Sequence, residues 1–391
     1  MPYRPINRRP IQLILKDPQI GLKQWHRRTR SLWLLRARSI VALPLIAMAY
    51  AMGTALAQPT SQPAFSFADS PVPSKKSLIL RAHDAGATLE LADQEATIRQ
   101  ITRAAIQTYF SQASETLDWR RLISPTDRLG IKVHSQPGPL VGVSPAVVAG
   151  LVDTLLEDGI KGSQITVWDR HLHDLHKAGF QALAQEKGIR LAGAFQTGYA
   201  ESITYENEIV GQLVWGDFEY DSTKEKSSRI SHLTRLVAEE FDKIINVAPL
   251  LNHNSAGVSG LLWSLAMGSI DNSRRFQNVR SRMEIAVPEI YGTPELADRV
   301  ILNLYDALIC QYRGQKESLL HYSVPLNEVW VGQDAVAMDA LALRVLKEER
   351  MKAGSTVKPH PLELLENAEL LELGKAAPEA ADIIQYPDSS E

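Results

Sequence analysis

The sequence predicts an α/β fold, in which a mostly parallel sheet is flanked by helices in a single globular domain that follows an N-terminal signal or anchor. Two observations support this prediction. Short apolar runs alternate with helical segments, and the segments carry standard helix start and stop residues. No internal repeat is evident.

The domain begins with a strand and a helix. Residues 77–82 (SLILRA) form a short apolar run with strand character. Residues 93–110 place Ile98, Ile101 and Ile106 at helical spacing. This order is typical of the start of an α/β domain.

A βαβ unit follows. Strands are predicted at 129–134 (LGIKVH) and 164–169 (QITVWD), and Ser144 with Pro145 begins a helix that runs to Leu156. The two strands should be parallel. The alternation continues with helix 171–187, strand 241–249, helix 256–267, strands 301–309 and 327–332, and helix 334–350.

Polar residues stand at or just after the ends of these strands. Open parallel sheets bind ligands outside the carboxyl ends of their strands, so we expect these residues to share one edge of the sheet. They are Lys132, His134, Asp169, Arg170, His253, Asn254, Asp306 and Asp334.

Lys132 and His134 share one face of their strand, because side chains alternate with a period of two. On an inner strand a lysine needs a partner, and it would supply a cation for an anionic ligand. The alternative is an edge strand with a solvated lysine.

Asp339 lies in a helix that is apolar almost all round, which should bury its carboxyl group. Asp334 is expected to cap the same helix. His171, His173 and His176 suggest a metal site, but only His173 and His176 share a helix face, so solvated histidines are the simpler interpretation.

The leading hypothesis is a site for a small anionic ligand or a divalent metal ion at this edge of the sheet. Lys132 and Arg170 would be its cations, with His134, Asp169 and Asn254 as further ligand-binding residues. His253, Asp306 and Asp339 are the candidate catalytic acid–base groups, together with Lys132, or the candidate metal ligands.

Two other functions stay open. The protein could be a non-catalytic binding or accessory module, or a redox carrier with a bound flavin or metal. Whether it is an enzyme is not decided. No dinucleotide-binding, phosphate-binding, GxSxG or HExxH motif is present. The single cysteine, Cys310, excludes an intramolecular disulfide and a cysteine-ligated iron–sulfur cluster, and it lies in an apolar run typical of a core.

Residues 1–57 resemble a signal peptide. The first 38 residues carry ten basic residues and one acid, and residues 39–57 are uncharged and end with Ala55 and Ala57 before Gln58. An uncleaved membrane anchor is the alternative. The pair Arg27 and Arg28 suggests a twin-arginine export signal.

The remaining chain divides into a Pro/Ser-rich linker, residues 58–76, and the domain, residues 77–391. We therefore expect a periplasmic protein, or one anchored on the extracytoplasmic side, that meets the membrane only through its N-terminal segment. The chain after residue 38 has 32 basic and 44 acidic residues. This acidic charge argues against nucleic acid as a partner.

The strand-end segments resemble those of a known family, the proteins that carry domain of unknown function 362. The matching runs, in order, are IKVHSQPGPLVGVSPAVVAGLVDTLLEDGI, ITVWDRHLHDLHKAGF, IINVAPLLNHNSAGVSGLLWSLAMGSIDN, LYDALICQYRG and VGQDAVAMDALAL. The resemblance implies an α/β domain, frequent export signals and, in some members, a fused ferredoxin module, which the cysteine count excludes here. It implies no particular activity.

This chain departs from the family pattern at four polar positions. His134, Leu251, Trp263 and Ser264 stand where an asparagine, a lysine and a Lys-Asn pair are usual. The loss of two lysines from this edge weakens the expectation that the ligand, or any activity, of typical members carries over to this chain.

Overall fold

Apolar runs and amphipathic segments form the strands and helices of the domain. The computed structural model describes residues 76–114, 117–224, 226–277, 279–354 and 363–387. Strands β1 to β13 span Ser77–His83, Thr88–Leu89, Ala92–Asp93, Leu129–Lys132, Ile165–Asp169, Arg190–Gly193, Tyr199–Gln212, Ser227–Thr234, Lys243–His253, Gly257–Val258, Val300–Gln311, Ser323–Gly332 and Ala381–Tyr386. Helices α1 to α11 span Glu95–Ala113, Trp119–Leu122, Pro145–Glu157, Leu172–Lys177, Phe180–Lys187, Ala194–Thr197, Leu261–Ser269, Arg280–Tyr291, Pro294–Ala297, Ala335–Lys352 and Glu363–Leu370.

The central sheet has the order β13-β1-β12-β11-β9-β4-β5-β6, with β10 paired to the end of β9. All neighbours along this path are parallel except those that involve β12, which is antiparallel to both β1 and β11. The predicted α/β fold with a mostly parallel sheet is therefore confirmed.

The reversed direction of β12 corrects one expectation. Asp334 follows β12 and so lies at the opposite edge of the sheet from the ends of β4, β5 and β9. Its Oδ1 accepts a hydrogen bond of 2.9 Å from the Ala337 amide at the start of α10, as expected for a cap.

Two hydrophobic clusters cover the two faces of the sheet. One contains the buried side chains of α7, α8, α10 and α11, and the other contains those of α1, α3 and α5. Helices on both faces explain why the inner strands are apolar along most of their length.

Strand β4 lies between β9 and β5, and Lys132 is fully buried there. The interpretation of this segment as an edge strand with a solvated lysine is therefore wrong. Lys132 is the last residue of β4, and the neighbouring strands together with helix α7 cover its side chain.

Two predicted helices have different bounds. The helix predicted at 171–187 is two helices, α4 and α5, because Gly179 between them has a φ of +94°. The helix predicted at 256–267 begins only at Leu261, because Gly257 and Val258 pair back onto the end of β9 as β10.

The predictions for the signal or anchor segment, and for the linker up to residue 75, fall outside the described residues. Among the residues that are described, no helix has the length and apolarity needed to cross a membrane.

Candidate functional site

Strands β4, β5 and β9 end at a cavity of about 250 Å³. Residues after or near these ends line it, including His134, Asp169, Arg170 and His253. Helix α7 forms its floor with Ser264, Met267 and Gly268, together with Trp263. We call this space the strand-end cavity.

A buried ion pair lies behind the wall of the strand-end cavity. Lys132 Nζ is 3.0 Å from Asp169 Oδ1, and it also donates to the Val133 carbonyl oxygen at 2.5 Å and to Ser264 Oγ at 3.2 Å. These three acceptors satisfy the ammonium group, which burial makes necessary. Burial lowers the pKa of Lys132, and the charge of Asp169 opposes that shift.

Asp169 is held in its ionised form. Its Oδ2 accepts from both the amide and the hydroxyl of Ser135 at 2.7 Å, and its Oδ1 accepts from the Arg170 amide at 2.7 Å. Burial alone would raise its pKa, but the charge of Lys132, with His134 and the Ser135 hydrogen bonds, lowers the pKa to about 2. The pair therefore supplies structure and little net charge to the cavity.

Three aromatic rings form the inner wall. The Trp263 ring lies between His134 and His253, at centroid distances of 5.3 Å and 4.6 Å. Burial lowers the pKa of His134 to about 4, so its ring is neutral near pH 7. Nδ1 of His253 accepts from the Ala256 amide at 2.9 Å and the Ser255 amide at 3.2 Å, which places the ring hydrogen on Nε2.

Two buried polar atoms of this wall have no hydrogen-bond partner within the described part of the chain. They are Nε2 of His134 and the indole Nε1 of Trp263. Both atoms are buried by the surrounding side chains, so neither of them faces the open space of the cavity.

Arg170 links strand β5 to helix α7. Its Nη1 donates to the carbonyl oxygens of Met267 and Ile270, both at 2.9 Å. Met267 is in the last turn of α7 and Ile270 directly follows the helix, at the end where a cation is favourable. Arg170 thus fixes the floor of the cavity as well as contributing charge to it.

Three cations line the strand-end cavity without an ion pair to any described acid: Arg170, Arg274 and Lys316. Two of the three acids of the wall, Asp169 and Asp217, are engaged by protein donors. Asp169 pairs with Lys132, and Asp217 accepts from the amides of Val214 and Asn272 at 2.7 Å and 2.9 Å. Asp174 is half-buried, and burial together with the charge of Asp169 raises its pKa.

Asp306 lies on the other face of the sheet. Its Oδ2 accepts from the Ser144 amide at the start of α3 at 2.7 Å, and its Oδ1 accepts from Leu308 at 3.2 Å. It shares a cavity of only about 10 Å³ with Asp93, whose carboxylate is hydrogen-bonded to the Ser144 hydroxyl. Burial and the charge of Asp93 raise the pKa of Asp306 to about 7.

Asp339 is buried beneath the sheet, away from the cavity walls. Its Oδ1 accepts from the Leu261 amide at 2.8 Å and from the Tyr305 hydroxyl at 2.5 Å, and its Oδ2 accepts from the Leu262 amide at 3.1 Å. It therefore caps the N-terminus of α7 from the neighbouring helix α10. Burial raises its pKa to about 6.

The structure thus brings together Lys132, His134, Asp169, Arg170 and His253. It does not bring Asn254, Asp306 or Asp339 to the same cavity. The Asn254 amide donates to Gln315 Oε1 at 3.1 Å, and its side chain accepts from Asn252, so it organises a loop.

The residues proposed as metal ligands do not converge. Within the described ranges, no group of three or more His, Cys, Asp or Glu side chains is placed to hold a metal ion. His173 and His176 are exposed on α4, and His171 precedes that helix. Cys310 is buried in the core, which raises the pKa of its thiol.

Sequence reasoning missed the outer wall of the cavity. Trp215 and Asp217 come from the β7–β8 connection, Arg274 from the segment after α7, and Gln315 with Lys316 from the β11–β12 connection. These segments are irregular and follow no strand-end rule. The sequence signal that could have found this wall is a tryptophan beside a glycine and an aspartate in the run VWGD, residues 214–217.

The family model for Domain of unknown function (DUF362) matches residues 130–344. The chain belongs to this family. The DUF362 match extends from β4 into α10 and so includes the segments that build the strand-end cavity. The resemblance of the strand-end segments is therefore confirmed.

The chain was also compared with curated proteins and with solved structures. No curated protein matches the chain. The crystal structure of a Thermotoga maritima protein from the Northeast Structural Genomics Consortium is similar with a TM-score of 0.35 and 13% sequence identity. The similarity covers 68% of this chain and 60% of that protein, so the chain spans less than two thirds of its length.

Proposed function

We propose that this DUF362 protein binds a small anionic ligand in the strand-end cavity. The observation that carries the proposal is the charge pattern of the walls. Arg170, Arg274 and Lys316 have no ion pair with a described acid, whereas Asp169 and Asp217 are engaged by protein donors. An anion would therefore meet cations whose charges are not already neutralised.

The size and polarity of the cavity support a small ligand. A volume of about 250 Å³ lies just below the range of roughly 300–1,000 Å³ that is usual for drug-sized ligands. Arg170, Arg274 and Lys316 supply charged donors to the cavity wall, and charged donors are suited to oxygen acceptors.

The Lys132–Asp169 pair has a structural role in the proposed site. Its hydrogen bonds join the ends of β4 and β5 to helix α7. Asp169 also accepts from the backbone amides of Arg170 and of Ser135, the residue after His134, and so holds this part of the cavity wall. Lys132 itself does not line the cavity. We propose binding alone, without a chemical step.

A divalent metal ion is less well supported as the ligand. His253, Asp306 and Asp339 would have to meet, yet Asp306 bonds to the start of α3 and Asp339 to the start of α7, on opposite faces of the sheet. Both carboxyl groups have raised pKa values, which disfavours the ionised form that a cation needs.

Titration of the purified protein with inorganic phosphate at low ionic strength tests the proposal. The double variant Arg274→Gln/Lys316→Gln should weaken binding by about tenfold or more, because two charges are removed from the site. The control Arg344→Gln/Lys347→Gln removes the same charges from α10, outside the cavity, and should bind like the wild type. No phosphate binding by calorimetry and native mass spectrometry, or equal losses in the two double variants, would refute the proposal.

A further inference from the structure

The mouth of the strand-end cavity carries an exposed aromatic side chain. Trp215 is 75% exposed and lines the cavity. Its ring centroid is 5.4 Å from that of Phe195, which is 5.3 Å from the ring of His171. An exposed tryptophan of this kind has a large apolar face that is available for a ligand.

The turn that carries Trp215 is held by buried carboxylates. Asp217, which is buried, accepts from the Val214 amide at 2.7 Å and from the Asn272 amide at 2.9 Å. Asp271, also buried, accepts from the Phe218 amide at 2.7 Å. The backbone on both sides of Trp215 is therefore fixed, so the ring is presented at little further cost in conformational entropy.

A glycine allows Phe195 to pack under this turn. Gly216 has a φ of +98°, and a Cβ atom at this position would lie 2.0 Å from the Phe195 ring. Any larger residue would therefore push the turn away from Phe195. The pair Trp215 and Phe195, here called the aromatic platform, is a packed feature of the fold.

The aromatic platform is tied to one of the cations of the cavity. Asp217 accepts from the amide of Asn272, only two residues before Arg274. The same contact that fixes the Trp215 turn thus fixes the segment that carries Arg274, and both residues line the cavity. Trp215 and Arg274 could therefore contact a flat ring and an anionic group of the same small molecule.

We infer that the ligand is an anion that carries a planar aromatic ring, with the anionic group at the cations and the ring stacked on Trp215. This inference rests on the proposed function, because it names the class of the anion bound in the same cavity. Stacking on an exposed indole tolerates many ring types, so the ring and not its substituents is what Trp215 selects.

The test compares phenyl phosphate with methyl phosphate, which share the anionic group and differ in the ring. Wild-type protein should bind phenyl phosphate about tenfold more tightly or better. Trp215→Ala should bring the two affinities to nearly the same value, while Trp215→Phe, which keeps a flat ring, should retain most of the preference. Met351→Ala removes a side chain that is 67% exposed outside the cavity, and it should leave the preference unchanged.

The outcomes distinguish a failure of this inference from a failure of the proposed function. If both esters bind the wild type equally, or if Trp215→Ala keeps the preference for phenyl phosphate, the aromatic platform is not part of the ligand site. Anion binding would still stand in that case. If inorganic phosphate and both esters all fail to bind, the proposed function fails and this inference fails with it.

Discussion

Lys132 is a buried cation whose ion pair with Asp169, 3.0 Å away on the next strand, joins the ends of β4 and β5. Its place in an apolar strand predicted that it would need a partner. The identity of the third contact, Ser264, could not be predicted, because it depends on how α7 packs across the sheet. Alternation along a strand gives the face of a residue but not its neighbour across the sheet.

Asp306 carries a prediction about pH. Burial and Asp93 raise its pKa in the folded protein to about 7, whereas the unfolded chain titrates near 4. Between these values the folded protein binds more protons than the unfolded chain, so this carboxyl group makes the protein less stable as pH rises from about 4 to about 7. Above pH 7 its effect is constant.

Asp306→Asn should remove this dependence. At each pH, urea unfolding gives the free energy of unfolding of the variant minus that of the wild type. We expect this difference to be higher at pH 8 than at pH 5 by a few kcal/mol. Asp382→Asn changes an exposed aspartate of β13 and should show no such trend. A stability difference for Asp306→Asn that is the same at both pH values would contradict the burial argument.

Helix α7 is the element on which the site depends. Asp339 caps its first turn, Arg170 binds its last carbonyl groups, and Lys132 packs against Gly268 near its end. The sequence predicted a helix here but placed its start five residues early, at Ala256. The apolar pattern continues through β10, and a two-residue strand pairing leaves no periodic signal.

Gly268→Ala tests the close contact between α7 and β4. A Cβ atom at this position would lie 2.5 Å from Lys132 Cε and 3.0 Å from its Nζ. We expect a loss of about 1–3 kcal/mol in the free energy of unfolding, because the lysine must move within a filled space. Thermal and urea denaturation would measure the loss.

Ser264→Ala is the matched control on the same helix. It removes the 3.2 Å hydrogen bond that Ser264 Oγ accepts from Lys132 and adds no atom beside the lysine, so its loss, about 1–3 kcal/mol, measures the missing acceptor of a buried ammonium group and not crowding. In Gly268→Ala, the close contact with Lys132 must outweigh the helix preference for alanine over glycine, which is about 1 kcal/mol. A Gly268→Ala protein that is as stable as the wild type would mean that Lys132 has room to move.

For the whole molecule, the sequence predicted the layers but not the outline of the cavity. The strand and helix alternation predicted the α/β sheet and that the ends of β4, β5 and β9 meet, because parallel strands bring their carboxyl ends to one edge; it wrongly placed Asp334 at the same edge. It did not predict that β12 runs antiparallel, since both directions give the same apolar pattern. The connections that close the cavity, which carry Trp215 and Lys316, pack through long-range contacts that leave no periodic signal.

Export remains a prediction at this scale. The basic and apolar segments of residues 1–57 predict cleavage after Ala57, so the mature protein should begin at Gln58. Intact-mass measurement of protein from the exported fraction would locate the N-terminus. An uncleaved N-terminus in the membrane fraction would favour the anchor, and a cytoplasmic protein of full length would contradict both.

The reversed direction of β12 also decides at which edge of the sheet its connection to β11 lies. Because β12 returns antiparallel to β11, their connection, residues 312–322, lies at the carboxyl edge of the parallel strands and brings Lys316 to the cavity. A hairpin connection of this kind tolerates insertions and deletions without disturbing the strands that it joins. Changes in the length of this connection would therefore reshape one wall of the cavity and leave the sheet unchanged.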